Sequence, residues 1–292
     1  MNTPAPFATT RSRFLPADFN PARPVAVIAG RGLYPQLTVR ALRHAGVPVR
    51  LIAFVDETAP DLVDTFPTAE RETIKVGQLG HLLKALRSFE AGAAIMAGQI
   101  RPRRLFEGLH PDWKAIAILA SLKERNAATI FGAIAKEMEN IGVHLLDARA
   151  FLDHQLAEVG VMTGGRRQVD EETLAFGVRL AREMARLDVG QGVVVSGGTV
   201  IAVEAFEGTD AMLRRAGQLG AKDPLFVKTP KPDQDFRFDV PVFGRSTIAV
   251  MREAGITQAA LAAGSTLILE KDIALTEARI AGIQLLGYEN PA

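Results

Sequence analysis

Through the first half of this 292-residue chain, short apolar runs alternate with stretches of helical period, and glycine or acidic turns punctuate them. Val25-Ala26-Val27-Ile28-Ala29 ends at Gly30-Arg31-Gly32, and Pro35 then stands in the first turn of a helix continued by Leu37 to His44. Gly46 stops that helix. Val49 to Val55 is a second run, closed by Asp56-Glu57. Thr73 to Val76 is a third, and Ala93 to Ala97 is a fourth that ends in Gly98-Gln99. Between the last two, Leu79, Leu82, Leu83, Leu86 and Phe89 recur at helical spacing. A helix around Ala127 to Asn140 leads to a strand at Val143 to Leu146. Strands this apolar need cover on both faces, so the alternation predicts a parallel sheet between helices. A Rossmann-like parallel-sheet domain is therefore expected over 23–160, after a disordered or extended tail over 1–22.

The second half reads differently. Thr163-Gly164-Gly165-Arg166-Arg167 marks a linker over 161–169. Asp170 is placed to cap a helix carrying Leu174, Val178, Ala181 and Met184 on one face. Val193 to Val195 and Val200 to Val203 flank Ser196-Gly197-Gly198-Thr199, a hairpin signal. Further strands are expected at Leu225 to Lys228, Thr266 to Glu270 and Ile283 to Tyr288, with helices at Asp210 to Leu219, Ser246 to Ala254 and Asp272 to Ala281. This predicts a C-terminal α/β domain with a mixed sheet over 170–292. A chain of this length accommodates two domains at roughly 150 residues each.

Composition narrows the chemistry. The 34 basic and 33 acidic residues leave a net charge of +1, which gives no footprint for nucleic acid. No cysteine is present, so thiolate zinc sites, iron–sulfur clusters and a cysteine nucleophile are excluded. His44, His81, His110, His144 and His154 lack metal-ligand spacing, and no G-x-S-x-G elbow occurs. Any metal would be held by carboxylates, which favours Mg²⁺ or Mn²⁺. No apolar run reaches the ~18–20 residues of a membrane span, and the first residues lack a signal-peptide core. A cytoplasmic protein is expected.

Four stretches could carry function. The strand–Gly30-Arg31-Gly32–helix junction could cradle a phosphate, and Asp56 at the end of the second strand could meet a ribose. A dinucleotide fingerprint is incomplete, because Pro35 stands where its third glycine is needed. Arg101-Pro102-Arg103-Arg104 follows the fourth strand, where phosphate-binding arginines would be well placed. Glu204 to Met212 sets acids, Gly208 and a Thr209-Asp210 cap at a helix start. Lys228 to Pro241 packs Lys231, Gln234, Arg237 and Asp239 among stiff prolines.

The last two stretches carry a resemblance. Arg186-Leu187-Asp188-Val189-Gly190-Gln191-Gly192, Glu207-Gly208-Thr209-Asp210-Ala211-Met212 and Lys231-Pro232-x-Gln234-x-x-Arg237-x-Asp239-x-Pro241-x-x-Gly244 resemble the UDP-2,3-diacylglucosamine pyrophosphatase family of lipid A biosynthesis. This is the type unrelated to the metallophosphoesterases. Ala29-Gly30-x-Gly32-x-x-Pro35 and Ala97-Gly98 resemble it too. The resemblance implies two α/β domains and a divalent metal. It also implies hydrolysis of an acylated UDP-sugar to UMP and 2,3-diacylglucosamine 1-phosphate. It places the functional aspartate at Asp239. Substrate contacts are expected at Gly30, Arg31, Gly32, Gly98, Gln99, Gln191, Glu207, Gly208, Thr209, Asp210, Lys231, Gln234 and Arg237, with Asp239 and Asp210 as metal ligands. Peripheral contact with the inner membrane through the lipid, and a homodimer, are both compatible with this chain.

One departure stands out. Where many members carry Gly-Asp-Asp-Ala, this chain reads Lys123-Glu124-Arg125-Asn126-Ala127, which marks a divergent branch. A catalytically altered nucleotide-sugar or lipid-binding relative is thus one alternative, and a nucleotide-dependent oxidoreductase another. If 236–239 runs as a strand, Phe236 and Phe238 share one face, and Arg237 and Asp239 the other. An Arg237–Asp239 salt bridge is then the structural alternative to catalysis. Phe206, Leu225, Phe226, Phe236, Phe238 and Phe243 are the candidates for an acyl-chain groove.

Overall fold

The computed structural model describes residues 11–100, 111–122 and 127–289. The chain divides into two compact units, Met1–Asp153 with Asp235–Phe238, and His154–Gln234 with Asp239–Ala292. The segment Asp235–Phe238 therefore belongs with residues far earlier in the chain.

The first unit is built on a parallel sheet of β1 (Val25–Ala29), β2 (Val49–Phe54), β3 (Arg71–Ile74), β4 (Ala93–Ala97) and β5 (His144–Leu145). Its order is β3-β2-β1-β4-β5, as in doubly wound sheets. All five residues of β1 are buried, which is why that strand reads as an unbroken apolar run. The helices are α1 (Tyr34–His44), α2 (Pro60–Val63), α3 (Leu79–Ser88), α4 (Trp113–Ser121) and α5 (Ala127–Glu139). Pro35 occupies the first turn of α1, where its missing N–H costs nothing. The sequence reading gave no helix at α4. It is apolar around most of its circumference, so no periodic contrast marks it. Its cap is explicit: the Asp112 carboxylate accepts from the Ala115 N–H at 3.0 Å.

Residues 11–22 were expected as part of a loose tail, yet they pack. Ser12 is buried and its Oγ accepts from the Phe151 N–H at 3.1 Å. Phe19 meets the Phe151 ring edge-on at 5.9 Å.

The second unit contains a six-stranded sheet in the order β6-β13-β11-β9-β7-β8. These are β6 (Gly160–Val161), β7 (Gly192–Ser196), β8 (Thr199–Val203), β9 (Leu225–Lys228), β11 (Gln258–Ala262) and β13 (Gln284–Tyr288). β9, β11 and β13 are parallel, whereas β6, β7 and β8 run antiparallel to their neighbours. The mixed sheet expected from the sequence is thus the one formed. β10 (Val242–Phe243) and β12 (Leu267–Ile268) make a separate parallel pair. The stretch read as a linker contributes structure: Val161 pairs with Leu286, and Val169 is in the core.

Alternation along the strands sets the two faces of this sheet. Val194, Phe226, Ala259, Leu261 and Leu285 join one core with side chains from α7 (Thr209–Gln218), α8 (Arg245–Glu253) and α9 (Lys271–Ile280). Val193, Val195, Leu225, Val227, Ala260 and Leu286 join the other, under α6 (Glu171–Arg186). Asp170 caps α6 as expected, accepting from the Thr173 N–H at 2.7 Å. Phe226, Phe243 and Leu225 are wholly buried in these cores, so they are not walls of a lipid groove.

Gly177 lets α6 approach the sheet. A Cβ there would lie 2.8 Å from Val227 Cγ2 and 3.0 Å from Val195 Cγ2. Helix propensity alone would make Gly177→Ala stabilising by roughly 1 kcal/mol. The stiff buried valines reverse the sign, since overpacking costs about 1–3 kcal/mol. Thermal unfolding of Gly177→Ala should show a lower midpoint than the parent.

Candidate functional site

In the first unit, strand order reverses between β1 and β4, and both strands end in glycine turns. Ligands of open α/β sheets bind at such reversals. The two turns are joined by backbone. The Arg31 N–H donates to the Gln99 carbonyl at 2.7 Å, and the Gln99 N–H returns a bond to the Arg31 carbonyl at 3.3 Å. A Cβ on Gly30 would lie 2.5 Å from the Gln99 oxygen. One on Gly98, at φ +90°, would lie 2.6 Å from the Arg31 oxygen. Sterics thus require these two glycines. Gly32 has φ +90° and open space around it, so only its backbone conformation calls for glycine.

Arg31 projects from this turn toward Glu57, Nε to Oε2 at 3.8 Å. The Glu57 side chain is fully buried. Asp56 was the expected ribose contact, but it is exposed in a left-handed turn at φ +60°. The buried acid beside the glycine turn is its neighbour. Sequence could not separate the two, because a one-residue difference at a strand end reverses which side chain points inward.

Tyr34, the first residue of α1, donates its hydroxyl to the Ala148 carbonyl. Burial pushes that hydroxyl well above its ordinary pKa, and the Asp147 charge adds to the effect, so it remains a neutral donor. The Ala148 N–H donates to the Phe236 carbonyl at 2.8 Å. The Arg149 guanidinium lies 3.5 Å from the centroid of the Phe236 ring. Phe238 stacks on Phe131 at 5.3 Å. The first unit therefore brings together the helix after Gly32 and the segment carrying Arg237.

That segment is not a strand. Residues 232–241 are turns and irregular backbone, and the expected alternation does not form. Arg237 pairs with Asp235 through Nε to Oδ1 at 2.9 Å and Nη2 to Oδ2 at 2.6 Å. The expected alternative of an Arg237–Asp239 bridge is therefore replaced by an Arg237–Asp235 pair. The guanidinium holds the Asp235 carboxyl below the usual carboxylate range.

The second unit holds the rest. Gln191 donates from Nε2 to Gln234 Oε1 at 3.0 Å and to Asp239 Oδ2 at 3.3 Å. Gln234 donates its own Nε2 to the Asp239 carbonyl at 2.8 Å, and its Oε1 accepts from the Lys231 N–H at 2.9 Å. Gln191, Lys231, Gln234 and Asp239 thus form one cluster. The Lys231 ammonium is paired with Asp188.

A second cluster lies where β7 starts and β9 ends, at the paired residues Gly192 and Lys228. Lys228 is buried, and its Nζ donates to Thr209 Oγ1 at 3.0 Å. The same hydroxyl donates to Glu204 Oε1 at 2.6 Å, and Nζ lies 3.8 Å from Glu204 Oε2. The Tyr288 hydroxyl donates to the Lys228 carbonyl and is pushed up to about 12 by burial. Helix α7 starts one residue earlier than expected: Gly208, at φ +81°, is the cap, and Thr209 and Asp210 lie in its first turn. Glu207 pairs with Arg215 at 2.6 Å, which lowers its pKa. Phe206 is 93% exposed.

Among the described residues no group of three His, Asp or Glu side chains could hold a metal. Asp239 is a single carboxylate among amides, and no contact joins it to Asp210. This donor set fits a magnesium ion carried mainly by phosphate oxygens and water, not an all-protein cage. The Arg101–Arg104 run and the Glu124 and Asn126 positions lie outside the described residues.

The sequence reading quoted Glu204 and Lys228 but assigned them no role. Their signal was a lysine and a glutamate each closing an apolar strand. Lys228→Ala would leave Glu204 buried without its cation and should cost about 3 kcal/mol. Denaturant titration should place the Lys228→Met/Glu204→Met double variant closer to the parent than Lys228→Ala.

Comparison with known proteins matches both halves of the chain. The LpxI N-terminal domain model matches residues 24–155, and the LpxI C-terminal domain model matches residues 158–286. The UDP-2,3-diacylglucosamine pyrophosphatase LpxI of Caulobacter vibrioides is 30% identical over 284 residues, covering 91% of this chain and 98% of that protein.

Proposed function

The chain belongs to the LpxI family, and on that premise we propose that it hydrolyses the diphosphate of UDP-2,3-diacylglucosamine. The products are UMP and 2,3-diacylglucosamine 1-phosphate. Water supplies the oxygen that bonds to phosphorus, and the bridging P–O bond breaks. Attack at either phosphorus gives the same two products. The observation that carries this reading is the match of both family domains together with the Gln191–Gln234–Asp239 cluster.

Asp239 is the group we assign to the chemistry. Gln191 holds its Oδ2, and Gln234 holds its backbone carbonyl, so one amide contacts the carboxylate and another its main chain. A carboxylate so held can orient water and accept its proton. Arg31 and Arg237 are the candidates for phosphate-binding charge within the first unit, and Lys231, with Thr209 and Gly208 at the start of α7, within the second. A Mg²⁺ or Mn²⁺ ion held by Asp239 and phosphate oxygens would offset charge on the transferring group. Asp210 stands as a second candidate ligand.

The substrate's two acyl chains anchor it in a bilayer, since each buried CH₂ contributes ~0.8 kcal/mol. No described helix is long and apolar enough to cross a membrane. We therefore place the enzyme in the cytoplasm, meeting its substrate at the inner-membrane surface. Of the aromatics considered for a groove wall, Phe206 is exposed, whereas Phe236 lies against Arg149 and Phe238 stacks on Phe131.

Asp239→Ala should fold normally and lose about 100-fold or more in kcat. Its affinity for UDP-2,3-diacylglucosamine should change little, because the carboxylate acts mainly in the transition state. UMP release and retention of the intact lipid, measured on the same preparation, check this. Near-normal turnover in a folded variant would remove Asp239 from the mechanism.

A further inference from the structure

Arg149 lies between two aromatic rings. Its guanidinium carbon is 3.5 Å from the Phe236 ring centroid and 4.3 Å from the Phe14 ring centroid. Asp147 holds the same guanidinium edge-on, Nε to Oδ1 at 2.9 Å and Nη2 to Oδ2 at 2.6 Å. The two side chains are only 12% and 21% exposed. The rings define the plane of the guanidinium, and the two-point carboxylate contact defines its rotation within that plane. Cation–π attraction strengthens as such a group loses water.

The clamp acts on a particular piece of backbone. Ala148 donates its N–H to the Phe236 carbonyl at 2.8 Å, so Phe236 is gripped by main chain and ring at once. Phe238 is held by its stack on Phe131. Arg237 lies between these two anchors, and Asp239 is the next residue after them. Residues 232–241 have no ladder of their own to fix them. Their geometry comes from isolated main-chain bonds, such as the one from Ala148, and from side-chain contacts.

We infer that Arg149 is a positioning residue for the reaction: by clamping Phe236 it fixes the backbone that presents Arg237 and leads into Asp239. It does so without touching substrate. The inference rests on the reading of Asp239 as the reacting carboxylate. Reaction rates fall steeply with misplacement, about 100-fold for roughly 1 Å at a reacting group. An arginine serves here because its charge is constant across the working pH range and its planar face matches a ring. Phe14, from the segment expected to be loose, is the second wall of the clamp.

The test uses the full chain and four variants: Arg149→Ala, Phe236→Leu, Phe236→Tyr, and the Arg149→Ala/Phe236→Leu double variant. UMP release from UDP-2,3-diacylglucosamine gives kcat and KM, thermal melting controls for folding, and amide hydrogen exchange reads residues 235–239. Arg149→Ala and Phe236→Leu should each lower kcat about 10- to 100-fold at nearly unchanged KM, while the melting midpoint of Arg149→Ala falls because the largely buried Asp147 loses its cation. Phe236→Tyr keeps the ring face and should retain parental kcat. The double variant should be no slower than either single change, because both remove one contact. Exchange at 235–239 should rise in Arg149→Ala and Phe236→Leu and not in Phe236→Tyr. A folded Arg149→Ala with parental kcat overturns the proposal, as does equal loss in the Leu and Tyr variants. If Arg149→Ala fails to fold, the Phe236 pair decides. If the parent itself releases no UMP, the Asp239 reading falls, and unchanged exchange at 235–239 then overturns the clamp separately.

Discussion

A buried peptide unit must have both of its polar groups bonded. Ala148 is buried, and it meets this demand with two partners from distant parts of the chain. Its carbonyl accepts from Tyr34, and its N–H donates to the Phe236 carbonyl. Loss of either partner would strand a buried group at a cost of about 1–3 kcal/mol. One residue therefore ties the helix that follows Gly32 to the segment that leads into Asp239. The flanking residues reinforce the tie. Asp147 fixes Arg149, and Arg149 faces the Phe236 ring.

The glycine turns show how one residue type answers two demands. Gly30 and Gly98 are required by the close approach of the two turns, whatever ligand binds there. That packing also leaves the crevice at the β1–β4 reversal lined by backbone. Beside the turn, Arg31 is held against the buried Glu57. A Gly-x-Gly pattern alone cannot tell packing from binding, and here packing suffices to explain it.

Most of the fold was legible because burial leaves a direct mark. β1, β2 and β4 read as apolar runs, and the amphipathic α6 announced itself through its period and its Asp170 cap. β11 escaped notice. Its sequence Gln-Ala-Ala-Leu-Ala lacks β-branched residues, yet it is a central strand covered on both sides. Small residues suit that place because α6, α8 and α9 pack closely on the sheet, which overrides weak strand propensity. The motif after Lys228 was legible as a site but not as geometry. Its proline-rich turns hide the partner of each side chain, so Arg237 was matched with Asp239 when Asp235 is its partner. Tyr34, Asp147 and Arg149 were invisible as site-supporting residues, since nothing local links position 148 to position 236.

The partners of the acids at these strand ends explain why one of them suits the chemistry. Asp235 faces Arg237, Glu207 faces Arg215, and Glu204 faces Lys228. The guanidinium groups of Arg237 and Arg215 stabilise the charged forms of Asp235 and Glu207, which lowers their basicity and with it the tendency to take a proton from water. Asp239 is held differently, by the amides of Gln191 and Gln234. An amide fixes direction without adding a positive charge. The paired acids can shape the site and set the orientation of their cations, which in turn meet phosphate. The division among carboxylates on this protein thus follows from who their hydrogen-bond donors are.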